Sequence, residues 1–122
     1  MGWEIDTEGI ISFPRRMALD YAPGPSLCVT ENGIANADMV KAAGEVHDPE
    51  RDAYFEGYIA ALASLIDEDI SLKGYFPWSL FDNYEWAFGY SKRFGIVHVD
   101  YDSMVRTPKQ SWHAWRAALE AG

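Results

Sequence analysis

Two stretches of the sequence carry side chains able to do chemistry on a polar substrate. Val29-Thr30-Glu31-Asn32-Gly33 closes a short apolar run with a carboxylate, an amide and a glycine. Trp78-Ser79-Leu80-Phe81-Asp82-Asn83-Tyr84-Glu85-Trp86 sets a second carboxylate among aromatic rings. A glutamate can act as nucleophile or as proton carrier. Ionised, it accepts hydrogen bonds at both oxygens, which suits a pair of adjacent hydroxyls. Flat aromatic faces serve the clefts that hold sugars. Alone, Glu-Asn-Gly is an ordinary turn signal, and any single Trp is most simply core. The two stretches taken together point to a site.

The elements that position them read as βα units. Ile10, Phe13, Met17 and Tyr21 recur at helical spacing, which predicts a helix over 12–21 with Pro14 in its first turn and a stop at Ala22-Pro23-Gly24-Pro25. Ser26 to Thr30 reads as a buried strand, with Cys28 as a small buried hydrophobe. Residues 34–46 read as a loop. Asp48-Pro49-Glu50 starts a second helix, with Phe55, Ile59, Leu62 and Ile66 as its buried face. Asp67, Glu68 and Asp69 oppose the dipole at its end. Lys73 to Leu80 is a second strand, which Pro77 either bulges or ends. A long ordered loop, a short strand over 94–101 and a last helix capped by Thr107-Pro108 follow, with Trp112, Trp115 and Leu119 inward. Helix, strand, helix, strand, loop, helix is the order of parallel-sheet units. Both polar stretches stand at carboxyl ends of strands, where a (β/α)8 barrel builds its active site.

Composition excludes several functions. The chain has 122 residues, enough for one modest domain but not for a barrel of about 250. Its two strands therefore leave unpaired edges. A net charge of −9 argues against nucleic acid and anionic membranes as partners. Cys28 is the only cysteine, so no internal disulfide forms. No apolar run approaches the roughly 20 residues of a membrane span, and no leader pattern opens the chain. A cytoplasmic location is the expectation. His47, His98 and His113 are far apart and no metal-ligand spacing is present. No metal and no cofactor are expected.

The two stretches resemble glycoside hydrolase family 1, the β-glucosidase family. The resemblance continues through Gly89-Tyr90, Arg93-Phe94-Gly95, Val99-Asp100-Tyr101 and Arg106-Thr107-Pro108-Lys109, and back to Met1-Gly2-Trp3-Glu4. It implies that residues 1–122 form a single partial domain, α/β in class. That domain is the C-terminal part, about the last two βα units, of a (β/α)8 TIM barrel that is incomplete in this chain. Ser26–Thr30 would be its seventh strand and Gly74–Leu80 its eighth. By the same resemblance Glu31 is the nucleophile. Trp78 lies under the sugar, Glu85 accepts from its 4- and 6-hydroxyls, Trp86 reaches the 3-hydroxyl and Phe94 walls the pocket. Asn32 would help to orient the Glu31 carboxylate. Asp82 and Asn83 would hold the loop, Tyr84 and Tyr90 would be packing, and Trp3 core or cleft edge.

Retaining hydrolysis needs a second carboxyl group roughly 5–5.5 Å from the nucleophile. The family carries it in an Asn-Glu-Pro segment on an earlier strand, and that segment is absent here. The expected activity is thus hydrolysis of a terminal β-linked glucoside by the whole barrel, with the isolated chain inactive. A non-catalytic carbohydrate-binding module is the competing reading. So is an assembly partner that joins a complementary N-terminal barrel chain or associates with itself.

Overall fold

In the computed structural model, which describes residues 2–21 and 26–121, helix α1 (Thr7–Arg16) begins at Thr7 rather than at Ser12. Asp6 is the cause. Its carboxylate accepts the N–H groups of Glu8 and Gly9, each at 3.0 Å, a cap worth about 1 kcal/mol. Pro14 therefore lies inside the helix and not in its first turn, and a π-helical turn over Met17–Tyr21 follows. The expected face is corrected as well: Ile10 and Ile11 pack inward, while Phe13 and Tyr21 are exposed. The Ala22-Pro23-Gly24-Pro25 stop lies outside the described residues.

β1 (Leu27–Asn32) and β2 (Leu72–Pro77) pair in parallel, and α2 (Pro49–Asp67) makes the crossover between them. Pro77 is the last residue of β2, where its missing N–H breaks no ladder. Only one face of β1 is covered. Leu27 and Val29 pack with Leu62, Leu65 and Ile70, whereas Cys28 on the opposite face is exposed. The expectation of a strand buried on both faces, with a buried thiol, is overturned for that reason.

Pro49 opens α2 as expected, with Asp48 at the cap position, but the Asp48 side chain makes no capping bond. The buried face is Phe55, Tyr58, Leu62 and Leu65, one step round from the expected stripe, and Ile59 and Ile66 are exposed. The acidic end of α2 is compensated in two ways. Asp69 takes a left-handed conformation (φ 61°). It donates its N–H to the Ile66 carbonyl while Ile70 donates to Leu65, a Schellman closure that usually uses glycine. Arg15 of α1 then holds Glu68 through two bonds of 2.7 and 2.6 Å.

β3 (Val97–Val99) and β4 (Arg106–Pro108) form an antiparallel pair ahead of α3 (Gln110–Ala121). Thr107 and Pro108, expected to cap the last helix, belong to β4 instead. Trp112 and Trp115 pack on the cluster of Phe55, Ile96 and Val97 as expected, but Leu119 is exposed. No described helix is long and apolar enough to cross a membrane.

The loops that follow β1 and β2 are locked together by buried charges. Arg51 of α2, wholly buried, holds Asp48 and reaches Asp38 at 2.7 Å. Lys109, wholly buried, bonds Asp38 at 2.6 Å and Asp82 at 2.9 Å. Arg93 closes on the other Asp82 oxygen at 2.8 Å. Asp48 in turn accepts the N–H and hydroxyl of Ser111. Burial pushes the Asp82 carboxyl up, but the Lys109 bond and charge, Arg93 and the Val99 N–H outweigh it and hold the group below the ordinary carboxylate range. His98 is buried. Burial, then Arg93, lowers its pKa and favours the neutral ring.

Both shifts make the fold acid-labile. Asp82 stabilises fully above the unfolded carboxylate pKa of about 3.9, and that contribution is lost as pH falls through its lower folded value. His98 acts earlier: below about pH 6.5 the unfolded chain takes up a proton that the folded state resists. Denaturant unfolding should show stability falling in these two steps. Lys109→Met should cost about 3–5 kcal/mol at neutral pH by stranding buried carboxylates, and less in acid.

Candidate active site

The carboxyl ends of β1 and β2 lie side by side because the strands are parallel and paired. The Trp78 N–H donates to the Asn32 carbonyl at 2.7 Å just past the last register pair. The chains then pass so closely that a Cβ on Gly33 would lie 1.8 Å from the Trp78 carbonyl oxygen. Gly33 is thus required by a backbone approach rather than by a positive φ. The Trp78–Ser79 peptide is cis.

A cavity of about 360 Å³ opens above this crossing, lined by Glu31, Trp78, Glu85, Trp86 and Phe94 together with Trp3 and Tyr54. All five residues singled out from the sequence therefore meet at one place. Glu31 and Trp86 are exposed, Glu85 is half-buried, and Phe94 is buried at 2 % exposure as the rigid wall. Trp3 stands at the cleft edge, 66 % exposed, with its ring 6.2 Å from that of Phe94.

Each carboxylate has its own support. Behind Glu31, Asn32 is held by two tyrosines: its amide N–H donates to Tyr54 at 3.0 Å and its carbonyl accepts from Tyr75 at 2.7 Å. Burial, reinforced by the neighbouring tyrosines, raises the pKa of both phenols, so they stay neutral hydrogen-bonding groups. Asn32 therefore fixes the strand end against the helix layer, its side chain bonding the two tyrosines rather than the Glu31 carboxylate. Glu85 sits in a turn closed by its N–H to the Gly89 carbonyl at 2.7 Å, and Trp86 follows with φ 40°. Asp82 and Asn83 hold the loop, as expected. Asp82 accepts the N–H groups of Gly95 and Val99 besides its ion pairs, and a Cβ on Gly95 would come within 2.2 Å of the Asp82 nitrogen. Tyr84, Tyr90 and Tyr101 form an aromatic row beside them, although Tyr84 and Tyr90 remain largely exposed.

Tyr54 and Tyr75 escape a reading of the sequence. Tyr75 stands mid-strand and Tyr54 beside the apolar Phe55, where aromatics pass as core. A phenol within an otherwise apolar layer is the signal that would have found them, since a buried hydroxyl needs a polar partner.

A sequence profile described as Glycosyl hydrolase family 1 matches residues 1–121. The chain belongs to glycosyl hydrolase family 1. It is 48% identical over 116 residues to β-glucosidase A of Thermotoga maritima, covering 93% of this chain and 26% of that protein. It is 44% identical over 120 residues to the bifunctional β-D-glucosidase/β-D-fucosidase of Bifidobacterium breve, covering 95% of this chain and 26% of the relative. The psychrophilic β-glucosidase of Micrococcus antarcticus superposes with a TM-score of 0.95 at 48% identity, over 98% of this chain and 26% of the other. The Thermotoga maritima family 1 enzyme solved with isofagomine lactam superposes with a TM-score of 0.94 at 46% identity, over 98% and 27%. The chain thus spans about a quarter of the length of the curated relatives it matches. Its fold is a partial, C-terminal portion of the family 1 (β/α)8 barrel.

The tyrosine pair gives this segment a direct test. Tyr75→Phe keeps the packing but leaves the Asn32 side-chain amide oxygen without its donor, and should lower unfolding free energy by about 1–3 kcal/mol. The same change at a surface tyrosine such as Tyr21 should stay within about 0.5 kcal/mol.

Proposed function

We propose that this segment supplies the nucleophile and the sugar-binding floor of a retaining β-glucosidase, acting on a terminal β-linked glucoside. The observation that carries the reading is the meeting of Glu31, Glu85, Trp78, Trp86 and Phe94 at one cavity over two parallel strand ends. Family membership over residues 1–121 supports it. Residues 1–122 act as a single partial domain, and β1 and β2 correspond to the seventh and eighth strands of the barrel.

In this reading Glu31, exposed at the end of β1, attacks the anomeric carbon and forms a glycosyl-enzyme. Trp78 lies under the ring, Phe94 stiffens the wall, and the Trp86 indole N–H donates to a hydroxyl. Glu85 takes two sugar hydroxyl protons on its paired oxygens. The acid that protonates the leaving oxygen comes from outside this chain. General acid catalysis contributes about 10²–10⁴-fold, and Glu85, committed to the sugar hydroxyls, is no substitute. The chain then works when the remaining strands are supplied, and the open edges of β1 and β2 are where they add. A cytoplasmic setting belongs to the same proposal, and cell fractionation tests it.

Three outcomes check the reading. The purified chain alone should not hydrolyse an activated aryl β-glucoside, and turnover should appear when the barrel is completed with an N-terminal segment. Turnover by the chain alone that Glu31→Ala abolishes would place the acid within it. In the completed barrel, Glu31→Ala should lose at least about 10³-fold in kcat, and azide should restore part of it by filling the vacated space. Glu85→Ser should weaken hydrolysis of the neutral glucoside and relieve the penalty on its 6-phosphate, because a dianion beside a carboxylate is repelled. An unmutated enzyme that prefers the phosphorylated substrate would refute the role of Glu85.

A further inference from the structure

We propose that Asn83 is a positioning residue that sets selectivity for the sugar's 6-hydroxyl by fixing the rotamer of Glu85. The proposal rests on the reading of Glu85 as the hydroxyl-accepting carboxylate. Among the described residues, Asn83 is the one side chain hydrogen-bonded to that carboxylate: its amide N–H donates to Glu85 Oε2 at 3.3 Å. The turn pins the Glu85 backbone through Gly89 and Phe88, but a pinned backbone leaves the side-chain torsions of a glutamate free. Asn83 supplies that missing restraint. It uses one acceptor site on Oε2 and leaves the remaining lone pairs of both oxygens for the two hydroxyls.

Asn83 is itself held from several sides. Ser79 Oγ lies 3.2 Å from its amide oxygen, its N–H also meets the Tyr84 carbonyl at 3.2 Å, and its own carbonyl accepts the Tyr101 hydroxyl at 3.3 Å. The preceding residue, Asp82, is the buried ionic hub. Rigidity thus passes from the buried charges through Asn83 to a half-buried carboxylate at the cavity wall. A hydrogen bond acts on selectivity only when its acceptor already points at the hydroxyl, so ordering Glu85 in advance raises the value of that contact.

The test compares an aryl β-glucoside with its 6-deoxy analogue in the completed barrel. Asn83→Ala should lower kcat/KM on the glucoside by about 10-fold, mainly through KM, and on the 6-deoxy substrate by no more than about threefold. The preference between them shrinks accordingly. Asn83→Asp preserves the shape, removes the donor and sets a like charge beside Glu85, so it should shrink the preference further. The 6-deoxy rate in each variant reports an intact fold. Parallel losses on both substrates, or an unchanged preference, would overturn the role of Asn83. Glu85→Ala separates this from the underlying reading. If it abolishes the preference while Asn83→Ala does not, the inference about Asn83 fails alone. If it leaves the preference intact, the reading of Glu85 fails.

Discussion

The site depends on a chain of buried ion pairs that joins the loop after β1 to the loop after β2. Asp38 comes from the first loop and Asp82 from the second, and Lys109 at the start of α3 bonds both. Arg51 and Arg93 neutralise the outer ends, and the Arg51 guanidinium also caps the Arg93 carbonyl at 2.7 Å. Such burial is expensive unless every charge is met. Here Arg51, Lys109 and Arg93 face Asp38, Asp48 and Asp82, and a neutral His98 adds no further cation. The pairing does little to favour compactness over an apolar core of equal size. What it specifies is register: one arrangement of the two loops brings each of the three carboxylates to a cation, and that arrangement brings Glu31 and Glu85 to a common cavity.

The βα order, the two strands and the five cavity residues were legible in the sequence because each has a local or motif-borne signature. The ionic chain was not. Asp38, Asp82 and Lys109 are far apart in the chain, and a charged side chain in a loop reads as solvated until its partners are known. A local hint did exist at Asp48 and Arg51, one turn apart, with the arginine on the same side of α2 as Phe55 and Tyr58. The buried face of α2 departs from the expected stripe because Tyr58 and Leu65 compete with Ile59 and Ile66 for it, and tertiary contact with Ile70 and Leu27 favours Leu65. At α1 a capping Asp6 outweighed the pull of Pro14 as a first-turn residue. Cys28 lies on a strand face that the described residues leave open, and Leu119 near the end of α3 is exposed.

That one-sided coverage shapes the energetics of the segment. Phe13, Leu19, Phe76 and Leu80 are all more than half exposed, and each strand of the parallel pair has a single neighbour among the described residues. A parallel pair of this kind is stable where both faces are buried. The helix layer, built on the clusters around Phe55 and Leu65, buries one face, and the cavity side stays open. The helix layer is itself open around Phe13, Leu19 and Ile66.

Gly33 and Gly95 bear on how such a site can change over time. Each stands where two backbones touch, Gly33 under Trp78 and Gly95 against Asp82, and neither leaves room for a methyl group. Drift at those positions is barred by atomic volume, whatever the cavity holds. Trp86, by contrast, is 83 % exposed and Glu85 projects from a turn, so either can be exchanged with the backbone beneath left in place. New specificities are therefore reached by swapping protruding side chains on a frozen frame. A foreign loop can be grafted after either strand only if its counterpart is transplanted with it.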